Sequence, residues 1–309
     1  MQSQKIKYYL GFICLIIHIG CNFSTNSEIQ APSFIYTEFS HPVLSPNGEE
    51  ILFHCFKPSG FNDENHPITD EDSCGIWSYK PATQELNFIY AILLPTRMIF
   101  TPDGDSVIFN DLYNQGKIVI MDRLSQSKRV IPGNTGGAST TISNDGSYIA
   151  YNQYTEAGKP LIIIAKVDGR EYKTLSRNGT NVNGMYPNWF PGNHRIAFMS
   201  NLDYSISAID TSGENLSVLF ASGTANFFGL SISPADGRIV FTYLDCIYTF
   251  NSIGENMTKL SSSFGRFANW SFDGKRIIYT SPSEQPIYHN QNAIWIMNDD
   301  GAEAFQIYP

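Results

Sequence analysis

Residues 268–279 read ANWSFDGKRIIY, a tryptophan followed by a Ser-x-Asp-Gly turn and then by β-branched and aromatic residues. Asp-Gly tolerates positive φ and reverses two antiparallel strands tightly, so the stretch predicts a hairpin. Five further copies of the turn lie upstream: SPNG at Ser45–Gly48, TPDG at Thr101–Gly104, SNDG at Ser143–Gly146, FPGN at Phe190–Asn193 and SPADG at Ser233–Gly237. The fourth is reordered and the fifth carries an extra residue. Each is followed at once by a short apolar run: ILFHC, SVIFN, SYIAY, RIAFM, RIVFT and, in the copy quoted first, RIIYT. After a variable loop comes a third run, GIWSY, KIVIM, LIIIA, SISAI, CIYTF or AIWIM, then a second turn such as Val167-Asp168-Gly169 or Asp299-Asp300-Gly301. A fourth short strand closes the unit, as at Lys259-Leu260 or Phe305-Gln306-Ile307. The period is roughly 45 residues, the size of one propeller blade.

A lone four-stranded meander cannot bury both faces, so such units stack side by side and close into a ring. The expected fold is therefore all-β, a six-bladed β-propeller of four-stranded antiparallel blades over residues 33–309. Trp189, Trp270 and Phe100 precede their turns and are expected to wedge between blades; Trp77 and Trp295, on third strands, read as packing as well. Pro187-Asn188-Trp189 with FPGN, and ANWSFDGKRIIY, resemble the WSPDG-type repeat of the TolB-like propellers. The resemblance covers nearly the whole chain after its first 32 residues and is specific for fold, not for function. TolB proteins carry an α/β domain before the repeats, which is not expected here. The prolyl-oligopeptidase-type peptidases share the repeat beside a hydrolase domain with a G-x-S-x-G elbow, and the chain has no such motif.

The first 32 residues differ in kind. Lys5 and Lys7 precede an apolar stretch, Tyr8 to Ile19, too short to span a bilayer and of the length of a signal-peptide core. Its end, Ile19-Gly20-Cys21, resembles the lipobox of bacterial lipoproteins, which implies a signal peptide over residues 1–20 and a diacylglycerol on Cys21. His18 stands where that pattern has an apolar residue, and an ordinary cleaved signal peptide is the alternative. Asn22 to Pro32 then reads as a flexible tether from the membrane. Of the remaining cysteines, Cys55 and Cys74 fall at facing ends of adjacent strands and are the candidate disulfide, worth about 3 kcal/mol if unstrained. Cys246 is left over.

With 42% hydrophobic, 14% aromatic and 16% charged residues, a large core is expected and disorder is not. The net charge of −9, with no basic run longer than two residues, argues against a nucleic-acid partner. No cofactor or metal is expected: His41, His54, His66, His194 and His289 lack ligand spacing, although His41 and His289 fall near the ring closure. The long first-blade loop, Lys57 to Ser73, carries Asp63, Glu64, Asp70, Glu71 and Asp72 and reads as a solvated acidic loop, with calcium as the alternative. The loops opposite the Asp-Gly turns are rich in Tyr and Asn. Tyr113, Tyr154, Tyr204, Tyr243 and Tyr288, with Arg97, Arg177 and Arg266 as a cationic patch, form the candidate binding face for an envelope protein or glycan. The alternative is a lyase or hydrolase acting on polysaccharide or peptide from a channel site.

Overall fold

The computed structural model describes residues 38–61, 67–69, 74–92, 97–111, 115–132, 137–200, 202–224, 227–284 and 291–309. The export segment, Cys21, the tether, most of the acidic loop, Tyr113, Tyr288, His66 and His289 lie outside them. Six four-stranded antiparallel sheets follow one another along the chain, each made of consecutive segments. Blade 1 spans Glu38–Leu44, Ile51–Phe56, Gly75–Lys80 and Glu85–Ala91; blade 2 spans Met98–Phe100, Ser106–Asp111, Lys117–Asp122 and Lys128–Val130. Blade 3 spans Gly137–Ile142, Tyr148–Tyr154, Pro160–Lys166 and Lys173–Thr174; blade 4 spans Met185–Trp189, Arg195–Ser200, Ser205–Asp210 and Ser217–Ala221. Blade 5 spans Phe227–Ile232, Ile239–Tyr243, Cys246–Phe250 and Thr258–Lys259; blade 6 spans Arg266–Trp270, Arg276–Pro282, Asn292–Asn298 and Phe305–Tyr308. Two small ribbons, Pro58–Phe61 with Pro67–Thr69 and Ser176–Arg177 with Thr180–Asn181, project from the connections. The described chain is an all-β, six-bladed propeller.

The repeated turn explains itself in hydrogen bonds. In blade 2 the Thr101 hydroxyl donates to Asp103 Oδ1 at 2.6 Å and accepts from the Ser106 amide at 3.0 Å, while that same carboxylate oxygen accepts the Asp105 amide. Ser143 with Asp145 and Ser271 with Asp273 repeat the arrangement. The donated hydroxyl bond holds all three carboxyls below the usual range. Gly104, at φ 78°, takes the left-handed position that a side chain would resist. In blade 4 the FPGN variant lacks the hydroxyl, and Asn193 instead reaches across to accept the Asn144 amide of blade 3 at 2.8 Å.

Strand alternation sends successive side chains to opposite faces, so each blade feeds two interfaces. The buried apolar residues accordingly fall into six clusters, one for each pair of neighbouring blades. Trp189 and Trp270 are 5% exposed and Phe100 is 1% exposed, each wedged between blades as its place before the turn predicts. Trp295 stacks on Tyr279, and Trp77 meets Phe88 edge to face. Among the described residues the ring closes by side-chain packing: Phe39, Phe53 and Cys55 of blade 1 pack on Ile278, Ile294 and Ile296 of blade 6.

The register corrects the expected disulfide. Cys55 pairs with Gly75, not Cys74, and no disulfide joins the two cysteines. Cys55 points with Phe53 toward blade 6, whereas His54, Ile76 and, by the same parity, Cys74 face blade 2. Cys74 instead exchanges hydrogen bonds with the Lys57 backbone, and burial pushes the Cys55 thiol up to about 12.

Candidate functional site

Two places stand out: the waist of the central channel, and the face opposite the Asp-Gly turns, here the upper face. At the waist, the residue four before each turn is the critical one. These positions are His41, Arg97, Ser139, Tyr186, Gly229 and Phe267 in blades 1 to 6. In five blades the first strand bulges there, and the residue has φ between 51° and 66°: His41 at 52°, Ser139 at 52°, Tyr186 at 52°, Gly229 at 65° and Phe267 at 54°. Bulges re-aim side chains, and left-handed backbone at aromatic residues is strain that the surrounding ring must hold. His41, Arg97, Tyr186, Gly229 and Phe267 together line a cavity of about 20 Å³.

The chemistry of the waist follows from burial. Arg97, 9% exposed, donates to Asn188 Oδ1 at 2.8 Å, and Asn188 is itself fixed by donating to the carbonyls of Tyr186 and Leu230. Burial pulls the guanidinium down to about 10, which leaves it charged at neutral pH. The His41 ring stacks on Phe267 across the closure, with centroids 4.2 Å apart. Burial, then the neighbouring His54 and Arg97, lower His41 to about 3, so it is neutral; its Nδ1 is shielded from solvent and has no hydrogen-bond partner among the described residues. His54 is also buried, lowered to about 4 by desolvation, with Nε2 2.9 Å from the Ile92 carbonyl oxygen.

On the upper face the predicted residues separate. Tyr154 donates its hydroxyl to Met185 Sδ at 3.4 Å, and Tyr243 packs into an aromatic cluster with Phe220 and Tyr248. Tyr204 is 38% exposed at a turn, with φ 51°. The three arginines have different surroundings: Arg97 in the waist, Arg177 exposed on its ribbon, and Arg266 in a 2.9 Å ion pair with Asp245 while lying over the Phe264 ring. Reading for tyrosine and amide missed the apolar rim of blades 4 to 6. Leu202, Leu244 and Phe264 are 78%, 51% and 36% exposed there. Leu244 and Asp245 form a two-residue hairpin turn at φ 48° and 59°, a place that favours Asn-Gly.

No family model matches the sequence, and no curated protein does. Solved structures match the fold. A TolB of Acinetobacter baumannii superimposes with a TM-score of 0.60 at 13% identity, covering 91% of this chain and 84% of that one. A TolB candidate of Agrobacterium tumefaciens gives 0.61 at 18% identity, over 74% and 86%. The fold is TolB-like. An oligogalacturonate lyase in complex with manganese also matches, with a TM-score of 0.54 at 11% identity over 88% and 78%. At these identities the likeness carries the TolB-like architecture and not the activity. Among the described residues no three His, Cys, Asp or Glu side chains converge.

Proposed function

We propose that this chain is an exported, lipid-anchored propeller that binds a protein partner at the cell envelope through the upper rim of blades 4 to 6. The observation that carries the reading is the exposed Leu202, Tyr204, Leu244 and Phe264 set, with Leu244 held in left-handed backbone at a hairpin tip. Exposed apolar residues ringed by a charged pair are the pattern of a protein contact, with Arg266 and Asp245 as the polar edge. The likeness to TolB structures and the lipobox-like Ile19-Gly20-Cys21 support an envelope setting.

The test is capture from envelope extracts with the full-length protein. Leu202→Ser, Leu244→Ser and Phe264→Ser combined are expected to reduce the captured partner at least about tenfold, as loss of central apolar contacts does. Capture unchanged in a folded triple variant refutes the rim. Intact mass with a diacylglycerol on Cys21 is the expected outcome for the anchor.

A further inference from the structure

Asn-Gly occurs three times in the sequence, at Asn47-Gly48, Asn178-Gly179 and Asn183-Gly184. Glycine has no side chain to screen its amide nitrogen, which can therefore attack the carbonyl carbon of the preceding side chain. The fold closes two of the three pairs to this reaction. In the blade 1 turn the Gly48 amide donates to the Ser45 carbonyl at 2.8 Å, while Asn47 Oδ1 accepts the Ser45 hydroxyl and its Nδ2 donates to Glu49. Before the first strand of blade 4 the Gly184 amide donates to the Pro160 carbonyl at 2.9 Å, and Gly184 is buried against Phe198 and Ile162. Asn178-Gly179 is the exception. It is the exposed tip of the ribbon Ser176–Arg177 with Thr180–Asn181, a two-residue reversal at φ 50° and 74°. Among the described residues neither the Gly179 amide nor the Asn178 side chain makes a hydrogen bond, and nothing packs over Gly179.

We propose that Asn178 is a self-modification site, at which the folded protein deamidates with water as the co-reactant. A base takes the Gly179 amide proton, the nitrogen bonds to Asn178 Cγ as the Cγ–Nδ2 bond breaks, and the amide group leaves with a proton as ammonia. Water then opens the five-membered imide at either carbonyl carbon. Breaking the Cγ–N bond gives aspartate; breaking the backbone C–N bond gives isoaspartate, in which the chain runs through the side-chain carbon. Nothing is oxidised or reduced. Either product sets a carboxylate next to Arg177 in the sequence, and isoaspartate lengthens the tip by one carbon, which a two-residue reversal does not accommodate.

The experiment incubates the full-length protein at neutral and at mildly alkaline pH, folded and in urea, and maps the mass gain of an amide-to-acid exchange onto fragments. In the folded protein Asn178 is expected to convert about tenfold or more faster than Asn47 or Asn183, because those sites must first give up hydrogen bonds. The rate should rise with pH, since the Gly179 amide must lose its proton. Asn178→Gln, whose longer side chain would have to close a six-membered ring, should suppress the gain at that position. In urea the three natural sites should convert at similar rates. Conversion of Asn47 or Asn183 as fast as Asn178 in the folded protein overturns the proposal. So does an Asn178 that stays intact in the folded chain, or one whose conversion does not quicken with pH.

Discussion

Replacing Asn292 with alanine attacks the ring where it closes. Among the described residues blade 1 and blade 6 share no strand, and side chains join them. Asn292 Oδ1 accepts the Phe39 amide at 2.8 Å and its Nδ2 donates to the Phe39 carbonyl at 2.7 Å, across 253 residues of sequence. A second amide, Asn269, donates to the Pro42 carbonyl at 3.0 Å. The Asn292→Ala change removes both bonds to a residue that is 4% exposed and leaves a backbone donor and acceptor with little access to water. Each net bond is worth about 1 kcal/mol and each orphaned group costs about 1–3 kcal/mol, so a loss of about 2–4 kcal/mol is expected. Urea unfolding followed by tryptophan fluorescence reads it as a lower midpoint. Because neighbouring blades stabilise each other only through their interfaces, a loosened closure should also lower the slope as the end blades begin to unfold separately. Asn298→Ala is the control: it lies in the same strand but bonds the exposed Glu303, and should cost less than about 0.5 kcal/mol. Equal midpoints for the two variants refute the closure argument.

Three further outcomes are expected. His41 and His54 bind protons at about 3 and about 4 when folded but near 6.5 when unfolded, so the unfolded chain is protonated first. Their stabilisation is complete above about pH 6.5 and falls as the pH drops, by on the order of 2 kcal/mol per histidine at pH 5; equal urea midpoints at pH 7 and pH 5 refute it. In Gly213→Ala the new Cβ would sit 1.9 Å from the Ser176 carbonyl oxygen at φ 92°, so the melting temperature should fall by about 4 °C or more; an unchanged value refutes the contact. Cys55 and Cys74 should resist a thiol reagent in the native protein and react once it is unfolded, without reductant; a native mass two protons short of the free-thiol value shows instead that they are joined.

What was legible in the sequence and what was not divide along a physical line. The hairpins were readable because their chemistry is local: a hydroxyl, a carboxylate and a glycine within four residues satisfy one another, as at Ser271, Asp273 and Gly274. The wedge residues were readable because they sit immediately before that turn. Fourth strands were only approximately readable. Thr258–Lys259 is two residues long and one residue earlier than its apolar cue, Leu260, suggests. The cysteine pair misled because loop ends that meet in space need not meet on one face; a one-residue step in register separates them. Tyr243 was legible as a loop-end tyrosine, but its packing on Phe220 and Tyr248 was not, because only the folded blade brings those rings together.

The waist was hidden for a different reason. Ser139, Tyr186 and Phe267 are poor residues for left-handed backbone and do not advertise a bulge, whereas His41 tolerates it better and Gly229 best. Their common signal is positional, a constant offset of four residues from the turn, and it becomes visible only when the blades are aligned on one another. That offset also separates the two candidate sites by mechanism. At the waist, five of the six equivalent positions, His41, Arg97, Tyr186, Gly229 and Phe267, line one cavity, so their identities set its chemistry together. At the rim, Leu244 belongs to a single loop that no other blade constrains, and its strain is not needed to close the ring. Substituting Leu244 should therefore alter partner capture while leaving the urea midpoint nearly unchanged, and substituting the buried Arg97 should lower the midpoint while leaving capture intact. A variant of either residue that moved both readouts in a folded protein would mean that the waist and the rim form one site.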